Sequence, residues 1–515
     1  MALYKRRDFI KTMGASAMAV NFIGCSKKNT KPNLVFLWTD EQRSDTFSVY
    51  GNRKIHAPNL NKLAQESVVF RHAYVSQPVC TPSRSTVMTG LWPHMNTCTE
   101  NNIALPEEIP CLPELVNDSD YRTAYIGKWH LGDEIFAQHG FEEWVSMEDG
   151  YWRFFREDKD INQKSSYHYF LEDLGYKPDT DRGTFSRGFA ARLPLEHCKP
   201  KFLEKHACDF IRRYKNEPFM LYVNFLEPHM PFFGPLDKEH DPADIDLPMN
   251  FNDPLEENEP LTDRMKREHY LQNGYEGHDL KKEADWRSLI AKYWGLVTQV
   301  DLSVGGILKT LDDLGLSENT IIVFTSDHGD MMGSHHLLAK TVMYEEAVKV
   351  PWLIRYPMMS QKQKVINAPV SHIDMVPTLI NLMGAKTDKQ LPGKSLTDLI
   401  EKNTGQSRDV FIQWHPSGNL LKGRNPAGKL KQSRKNNESN TRTIVSAEGW
   451  KLCLRDQDKN QLYDLNKDPG ETMNLYYNTD RQALIKRLAD RIFKWQEHVR
   501  DAPMLTENLR KNISF

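Results

Sequence analysis

Four short apolar runs each end in side chains that can do chemistry. Asn33 to Trp38 leads to Thr39-Asp40-Glu41, and Thr123 to Ile126 leads to Gly127-Lys128-Trp129-His130. Phe219 to Phe225 leads to Glu227-Pro228-His229, and Thr320 to Phe324 leads to Ser326-Asp327-His328-Gly329-Asp330. Brought to one place, Asp40, Glu41 and Asp327 would repel one another unless a proton or cation intervened, and a hard divalent cation bound by oxygen is the natural answer. A fifth segment, Cys80-Thr81-Pro82-Ser83-Arg84 with Thr89-Gly90 behind it, reads as the start of a helix. Pro82 suits a first turn, and the free amides there favour negative charge beside Cys80. Taken singly, each of these residues has a bland reading. A lone cysteine is usually a small buried hydrophobe, an isolated lysine is usually solvated, and a lone histidine is usually structural. The motif around each one gives it weight.

The apolar runs have the character of parallel strands buried on both faces. Helical patterns separate them, as in Leu289 to Leu314 with apolar residues at three- and four-residue spacing. That alternation predicts an α/β fold with a large, mostly parallel sheet flanked by helices. Ligands bind outside the carboxyl ends of such strands, so motifs far apart in sequence can converge. Around Ile400 the character changes. Thr443 to Leu454 and Gln461 to Leu465 read as short strands joined by a polar turn at Asp456 to Asn460, which predicts a small antiparallel sheet. Thr479 and Asp480 are expected to cap a terminal helix whose stripe of Leu484, Leu488, Ile492 and Trp495 packs as core. The expected organisation is a leader and tether over 1–31, a catalytic domain over 32–400, and a carboxyl-terminal subdomain over 401–515. Between Trp144 and Lys215 an irregular aromatic and charged stretch, with Tyr151, Trp152, Phe154 and Phe155, is open to two readings: a substrate-facing insertion or a satellite core. There is no internal repeat.

The 515 residues, 39% hydrophobic and 26% charged, can bury a substantial core. A formal net charge of −2 gives no global pull toward nucleic acid, so any preference for an anion must be local. Seven cysteines form no disulfide framework, and the odd total leaves at least one with another use. Arg6-Arg7 ahead of the small apolar stretch Met13 to Gly24 resembles a twin-arginine export signal, too short to span a bilayer. Phe22-Ile23-Gly24-Cys25 resembles a lipoprotein cleavage box with Cys25 as the lipid-bearing residue; an ordinary cleaved signal is the alternative. The expected location is the periplasm, or the outer membrane or cell surface as a lipoprotein. Lys422, Arg424, Lys429, Lys431, Arg434 and Lys435 form a basic segment that either guides a polyanion or is a solvated loop.

The pentapeptide at Cys80 with its trailing Thr89-Gly90 matches the C-x-P-S-R signature of the formylglycine-dependent sulfatases, within the alkaline-phosphatase-like superfamily. Gly127-Lys128-Trp129-His130, Ser326-Asp327-His328-Gly329, Asp374-Met375-Val376-Pro377-Thr378-Leu379 and Leu462-Tyr463-Asp464-Leu465 follow in family order, and the resemblance runs from Asn33 to about Tyr476. It implies hydrolysis of sulfate esters, with exported polysaccharide sulfatases of bacteria as the nearest kind. It implies that a maturation enzyme converts Cys80 to formylglycine, and that one calcium ion is bound by Asp40, Glu41, Asp327 and His328, with the group derived from Cys80 completing the shell. Glu41 stands where Asp is common, and His328 where Asn is often found. By resemblance Arg84 and Lys128 steady the formylglycine and the transferring sulfuryl group, Lys340 binds a sulfate oxygen, His130 manages the proton of the hydrated aldehyde, and His229 protonates the departing alcohol. The spacer before Lys340 departs from the commoner form, which makes His335 and His336 candidates for a further substrate contact. The implied reaction is a double displacement in which one hydroxyl of the hydrate attacks sulfur and the other expels sulfate. Sulfated carbohydrate, algal or glycosaminoglycan, is the expected substrate. A phosphonate monoester or phosphodiester hydrolase, and a lipoprotein that binds sulfated glycan without turnover, are the rival readings.

Overall fold

The computed structural model describes residues 31–357, 359, 362–402, 408–416 and 439–513. The leader with Cys25 and the basic segment 422–435 lie outside the described residues. No helix among the described residues is long and apolar enough to cross a membrane.

Among the described residues, eleven strands precede residue 400: β1 (Asn33–Asp40), β2 (Val68–Phe70), β3 (Ala73–Tyr74), β4 (Arg122–Gly127), β5 (Glu143–Val145), β6 (Phe219–Pro228), β7 (Thr320–Ser326), β8 (Lys349–Val350), β9 (Trp352–Arg355), β10 (Lys364–Ile366) and β11 (Val370–Ser371). Eight of them form one sheet in the order β10-β2-β9-β7-β1-β6-β4-β5, and β11-β3-β8 form a small ribbon. The large sheet is parallel except where β9 pairs with β2 and β7. Every residue of β1 is buried. Side-chain alternation sends Leu34, Phe36 and Trp38 to one apolar cluster and Val35 and Leu37 to the other. A strand covered on both faces has no solvent side to mark with polar residues, which is why it reads as a continuous apolar run. The helix expected at Leu289 to Leu314 spans Glu283–Asp313 and packs on one face beside Lys199–Arg213. On the other face Met375–Leu382 lies against Cys80–Thr89. Each large aliphatic side chain sealed in this way contributes about 1.5–3 kcal/mol.

Beyond residue 408, β12 (Val410–Trp414), β13 (Thr441–Val445), β14 (Trp450–Arg455) and β15 (Gln461–Asp464) form an antiparallel sheet in sequence order. The expected single strand Thr443 to Leu454 is two strands. Ser446 and Gly449 close a turn between them, with the Gly449 amide donating to the Ser446 carbonyl at 2.9 Å and Gly449 at φ +87°. The polar turn at Asp456 to Asn460 joins β14 to β15 as expected. The terminal helix is Gln482–Val499, with Leu488 and Ile492 fully buried on the sheet. Its entry is held by Asn478, whose side chain accepts from the Asp480 amide at 2.9 Å, and not by Thr479 or Asp480, because a 3-10 turn at Thr479–Arg481 precedes the helix. A second helix, Pro503–Ile513, adds to the same cluster. The buried Lys451 on β14 meets Glu345 at 3.1 Å and Glu471 at 2.8 Å, tying this sheet to the residues that follow Lys340. In the stretch between Trp144 and Lys215, Tyr167, Leu171 and Phe202 join the main core and not a satellite of it, while Tyr151 packs against the ring of His130.

Candidate active site

Parallel register brings the strand ends to one level. Thr39 lies opposite Ser326, Asp40 opposite Pro228, and Gly127 opposite Asn224. Asp40, Asp327, Lys128 and His229 therefore leave the sheet together. Cys80 arrives from the first turn of Cys80–Thr89, with Ser83 Oγ donating to the Asp327 carbonyl. Among the described residues, Asp40, Cys80, Asp327 and His328 converge closely enough to share one ion, and all four are buried.

The two carboxylates divide their oxygens between fixed cations and an inner space. Asp40 Oδ2 accepts from Arg84 Nη2 at 2.9 Å and from Lys128 Nζ, while Oδ1 lies 3.7 Å from His328 Nε2 and 3.8 Å from Cys80 Sγ. Asp327 Oδ2 accepts from Arg84 Nε at 2.8 Å; its Oδ1 accepts from the Glu41 amide at 3.1 Å and lies 3.6 Å from His328 Nε2. The Cys80 sulfur is 3.4 Å from that same imidazole nitrogen. Arg84 is fixed by the Lys128 carbonyl and Asn224 Oδ1, both at 2.9 Å, and lies over the Trp38 ring. Burial opposes ionisation of Asp40, yet Lys128, His229 and Arg84 hold its carboxyl well below the usual range. Burial, helped by Asp40, pushes the Cys80 thiol up to about 11.

Glu41 points elsewhere. Its backbone is left-handed, at φ +71°, and its Oε2 accepts from Lys340 Nζ at 2.9 Å and lies 3.4 Å from His229 Nε2. Burial pushes its carboxyl up to about 8, with Lys340 opposing and Asp330 adding to the rise. Glu41 Oε1 and Asp330 Oδ2 are both buried with no protein donor among the described residues, and the two carboxyls face each other. Buried carboxylate oxygens left in that state cost free energy unless a proton or cation meets them. The inward Oδ1 atoms of Asp40 and Asp327 and the His328 nitrogen fit a divalent cation. Glu41 stands beside the closest quartet, grouped with Asp40 and His229.

His130 and His229 are both held well below the usual imidazole range, first by burial and next by Lys128 and Lys340 respectively. His229 Nδ1 meets the Met230 carbonyl at 2.7 Å. His130 Nε2 meets Asn102 Oδ1 at 2.9 Å, and the loop behind it is pinned by Glu134, which accepts from the Trp129 and His130 amides at 2.9 and 2.6 Å. Sequence reasoning missed Asn102, Asn224 and Arg187, gave Asp330 no role although it stood in view beside Asp327, and singled out Tyr151 only as part of the aromatic stretch. Asn102 and Arg187 come from irregular segments with no pattern to mark them. Arg187 is paired in two-pronged fashion with Glu148, both contacts at 2.6 Å, and donates to Tyr151 Oη at 2.9 Å. His335 does not reach the site. It is buried between Asp253 at 2.5 Å and the Tyr344 ring, because its backbone turns it toward the Asn250 loop. His336 packs on Phe251.

The model of the family described as Sulfatase matches residues 32–385. The chain is 31% identical over 385 residues to an ulvan-active sulfatase of Formosa agariphila, covering 72% of this chain and 65% of that protein. It is 30% identical over 490 residues to an arylsulfatase of Clostridium perfringens, covering 90% of this chain and 95% of that one. Among solved structures it superposes on a phosphonate monoester hydrolase from Silicibacter pomeroyi with a TM-score of 0.76 at 20% identity, over 92% of this chain and 96% of that one, a likeness of fold. The sheet, the cation-paired carboxylates and the cysteine at the helix start thus occur in a chain that belongs to the sulfatase family, and it is a sulfuric ester hydrolase.

Proposed function

We propose that this hydrolase releases sulfate from sulfated polysaccharide or oligosaccharide, with Cys80 matured to formylglycine and one divalent cation, calcium, held by Asp40, Glu41, Asp327 and His328. The observation that carries this reading is the place of Cys80, buried at the start of a helix, 3.4 Å from His328 Nε2 and 3.8 Å from Asp40 Oδ1, with Lys128 and Lys340 turned toward it. Burial pushes its thiol up to about 11, which leaves little thiolate near neutral pH. An aldehyde at this position supplies, once hydrated, a hydroxyl nucleophile. The cation supplies charge stabilisation at the same focus. Arg84 and Lys128 fix the carboxylates and face the nucleophile. Lys340, kept charged against burial by Cys80, Glu41 and Asp40, is placed for a sulfate oxygen. His130, oriented by Asn102, would move a proton at residue 80, and His229, oriented by the Met230 carbonyl and held below the usual imidazole range by burial and Lys340, would hand one to the leaving oxygen once the ester's charge offsets that of Lys340. The name of the ulvan-active relative supports a carbohydrate substrate. The Arg6-Arg7 and Cys25 motifs support export and lipid anchoring, and the complete pentapeptide supports a maturation enzyme as partner.

The test is production with and without a formylglycine-generating enzyme, followed by mass spectrometry of the Cys80 peptide and sulfate release from a panel of sulfated sugars. Aldehyde in place of thiol is expected, together with turnover that tracks it. Cys80→Ala should remain folded while activity falls on the order of a millionfold, the size of loss seen when a covalent nucleophile is removed. Full activity in protein whose Cys80 remains a thiol would overturn the mechanism.

A further inference from the structure

Beside His229 the surface opens into a cleft of about 950 Å³ lined by Arg187, Arg192, Phe233, Tyr275, His278 and Lys292, among others. It adjoins the reactive centre at His229: Arg187, Pro231, Phe233 and Gly234 also line a narrow gap walled by Glu227 and His229. On its other flank Arg187 donates to Tyr151, whose ring lies 4.6 Å from that of His130. The cleft therefore begins at Met230 and Pro231, next to the histidine proposed to face the departing alcohol.

The cleft holds charge of both signs. Glu148 is shared by Arg187 and Lys199. Asp237 accepts from the Gly234 amide at 2.6 Å and Glu276 from Tyr275 Oη at 3.2 Å, neutral donors that do not cancel their charge, and both carboxylates feel Lys292, Asp237 also Arg192. No carboxylate among the described residues lies within ion-pair distance of Arg192 or Lys292, so their donors stay open to a ligand. Arg192 lies over the Phe233 ring, 4.3 Å from its centroid, and gives a single hydrogen bond, to the Gly188 carbonyl at 2.7 Å. Lys292 Nζ is 3.3 Å from His278 Nε2. A guanidinium held flat on an aromatic ring keeps most of its donors for a ligand and loses little freedom on binding one. Phe233 and Tyr275 add apolar ring surface to these donors.

We infer that this cleft is a binding site for a second anionic group on the leaving-group side, so that the preferred substrate is a sulfated oligosaccharide whose neighbouring position carries a carboxylate or another sulfate, received by Arg192 and Lys292. The inference rests on the reading of His229 as the residue facing the leaving group.

The test compares kcat/KM of the full-length, matured protein on a sulfated disaccharide bearing a uronic carboxylate, on the same compound with that carboxyl reduced to an alcohol, and on the compound with a second sulfate there instead. Wild type should prefer the dianionic forms, and Arg192→Ala and Lys292→Ala should each lower that preference about tenfold, the size of a charge-assisted hydrogen bond at a partly exposed site. Arg192→Lys should restore part of it, and added salt should weaken it. The carboxylate and sulfate arms tell which anion is taken. Calorimetric titration of the same compounds into Cys80→Ala protein reads the preference without turnover. Absence of sulfate release from every sulfate ester would sink the proposed function alone. Equal affinity for dianionic and monoanionic forms, or a preference unmoved in both variants, would overturn this inference.

Discussion

His372 offers a prediction whose size follows from its surroundings. It is fully buried, and its Nε2 lies 3.0 Å from Thr325 Oγ1 on β7, the strand that ends at Asp327. The Thr325 hydroxyl gives its proton to the Pro351 carbonyl at 2.8 Å, so Nε2 is the donor to Thr325, and Nδ1 is left buried without a partner. A second proton would place an unpaired charge there, and burial lowers the imidazole to about 3. Between the unfolded value of about 6.5 and that folded value, the unfolded chain binds a proton that the folded chain refuses, so stability rises with pH. His372 thus contributes fully above about pH 6.5 and loses its contribution as pH falls toward 3; at pH 5 the loss is about 2 kcal/mol, from about 1.4 kcal/mol per pH unit. His372→Gln keeps an N–H donor and cannot titrate. Urea unfolding of both proteins should give a stability gap at about pH 7.5 that shifts by about 2 kcal/mol in the variant's favour at about pH 5. A gap that is the same at both pH values would refute the reasoning.

Metal content gives a second prediction. Elemental analysis of dialysed protein should find about one equivalent of divalent cation, lost together with turnover in Asp327→Ala, while Glu41→Gln, which retains an oxygen ligand, should be milder. Undiminished activity in Asp327→Ala would contradict the proposed ligand set. Gly127→Ala tests the strand end that launches Lys128. A Cβ there would lie 2.0 Å from the Asn224 carbonyl oxygen at φ +124°, so a loss of about 2 kcal/mol or more and a displaced Lys128 are expected. An unchanged melting temperature would show that the contact relaxes freely.

The parts of this fold that were legible in the sequence are those where burial leaves a pattern. β1, β4, β6 and β7 are covered on both faces, so each shows as an apolar run, and each run stops where the chain reaches the polar centre. The reading failed where local chemistry decides. The turn that splits β13 from β14 rests on one glycine in a run otherwise able to be strand. His335 shares its sequence neighbourhood with Lys340, yet a run of left-handed residues, His335 and His336 among them, sends it to Asp253 while Lys340 reaches Glu41. Asn102 and Arg187 belong to segments without periodicity, and only the folded chain places them beside His130 and Tyr151.

The charge balance of the centre explains why the acidic residues outnumber what the fold alone requires. Arg84, Lys128 and Lys340 face Asp40, Glu41, Asp327 and Asp330, all buried or nearly so. With Glu41 pushed up to about 8, the protein takes up a proton near neutral pH, and cations and carboxylates come into rough balance. A centre of that kind has little attraction for a sulfate ester. A divalent cation in place of the proton would change the sign: the carboxylates would ionise fully, the local charge would become positive, and an anionic ester would be drawn to the face that Lys340 and His229 leave open. On the proposed ligand set, binding the cation would thus create the field that binds the substrate, and the raised carboxyl of Glu41 is the group that would give up its proton.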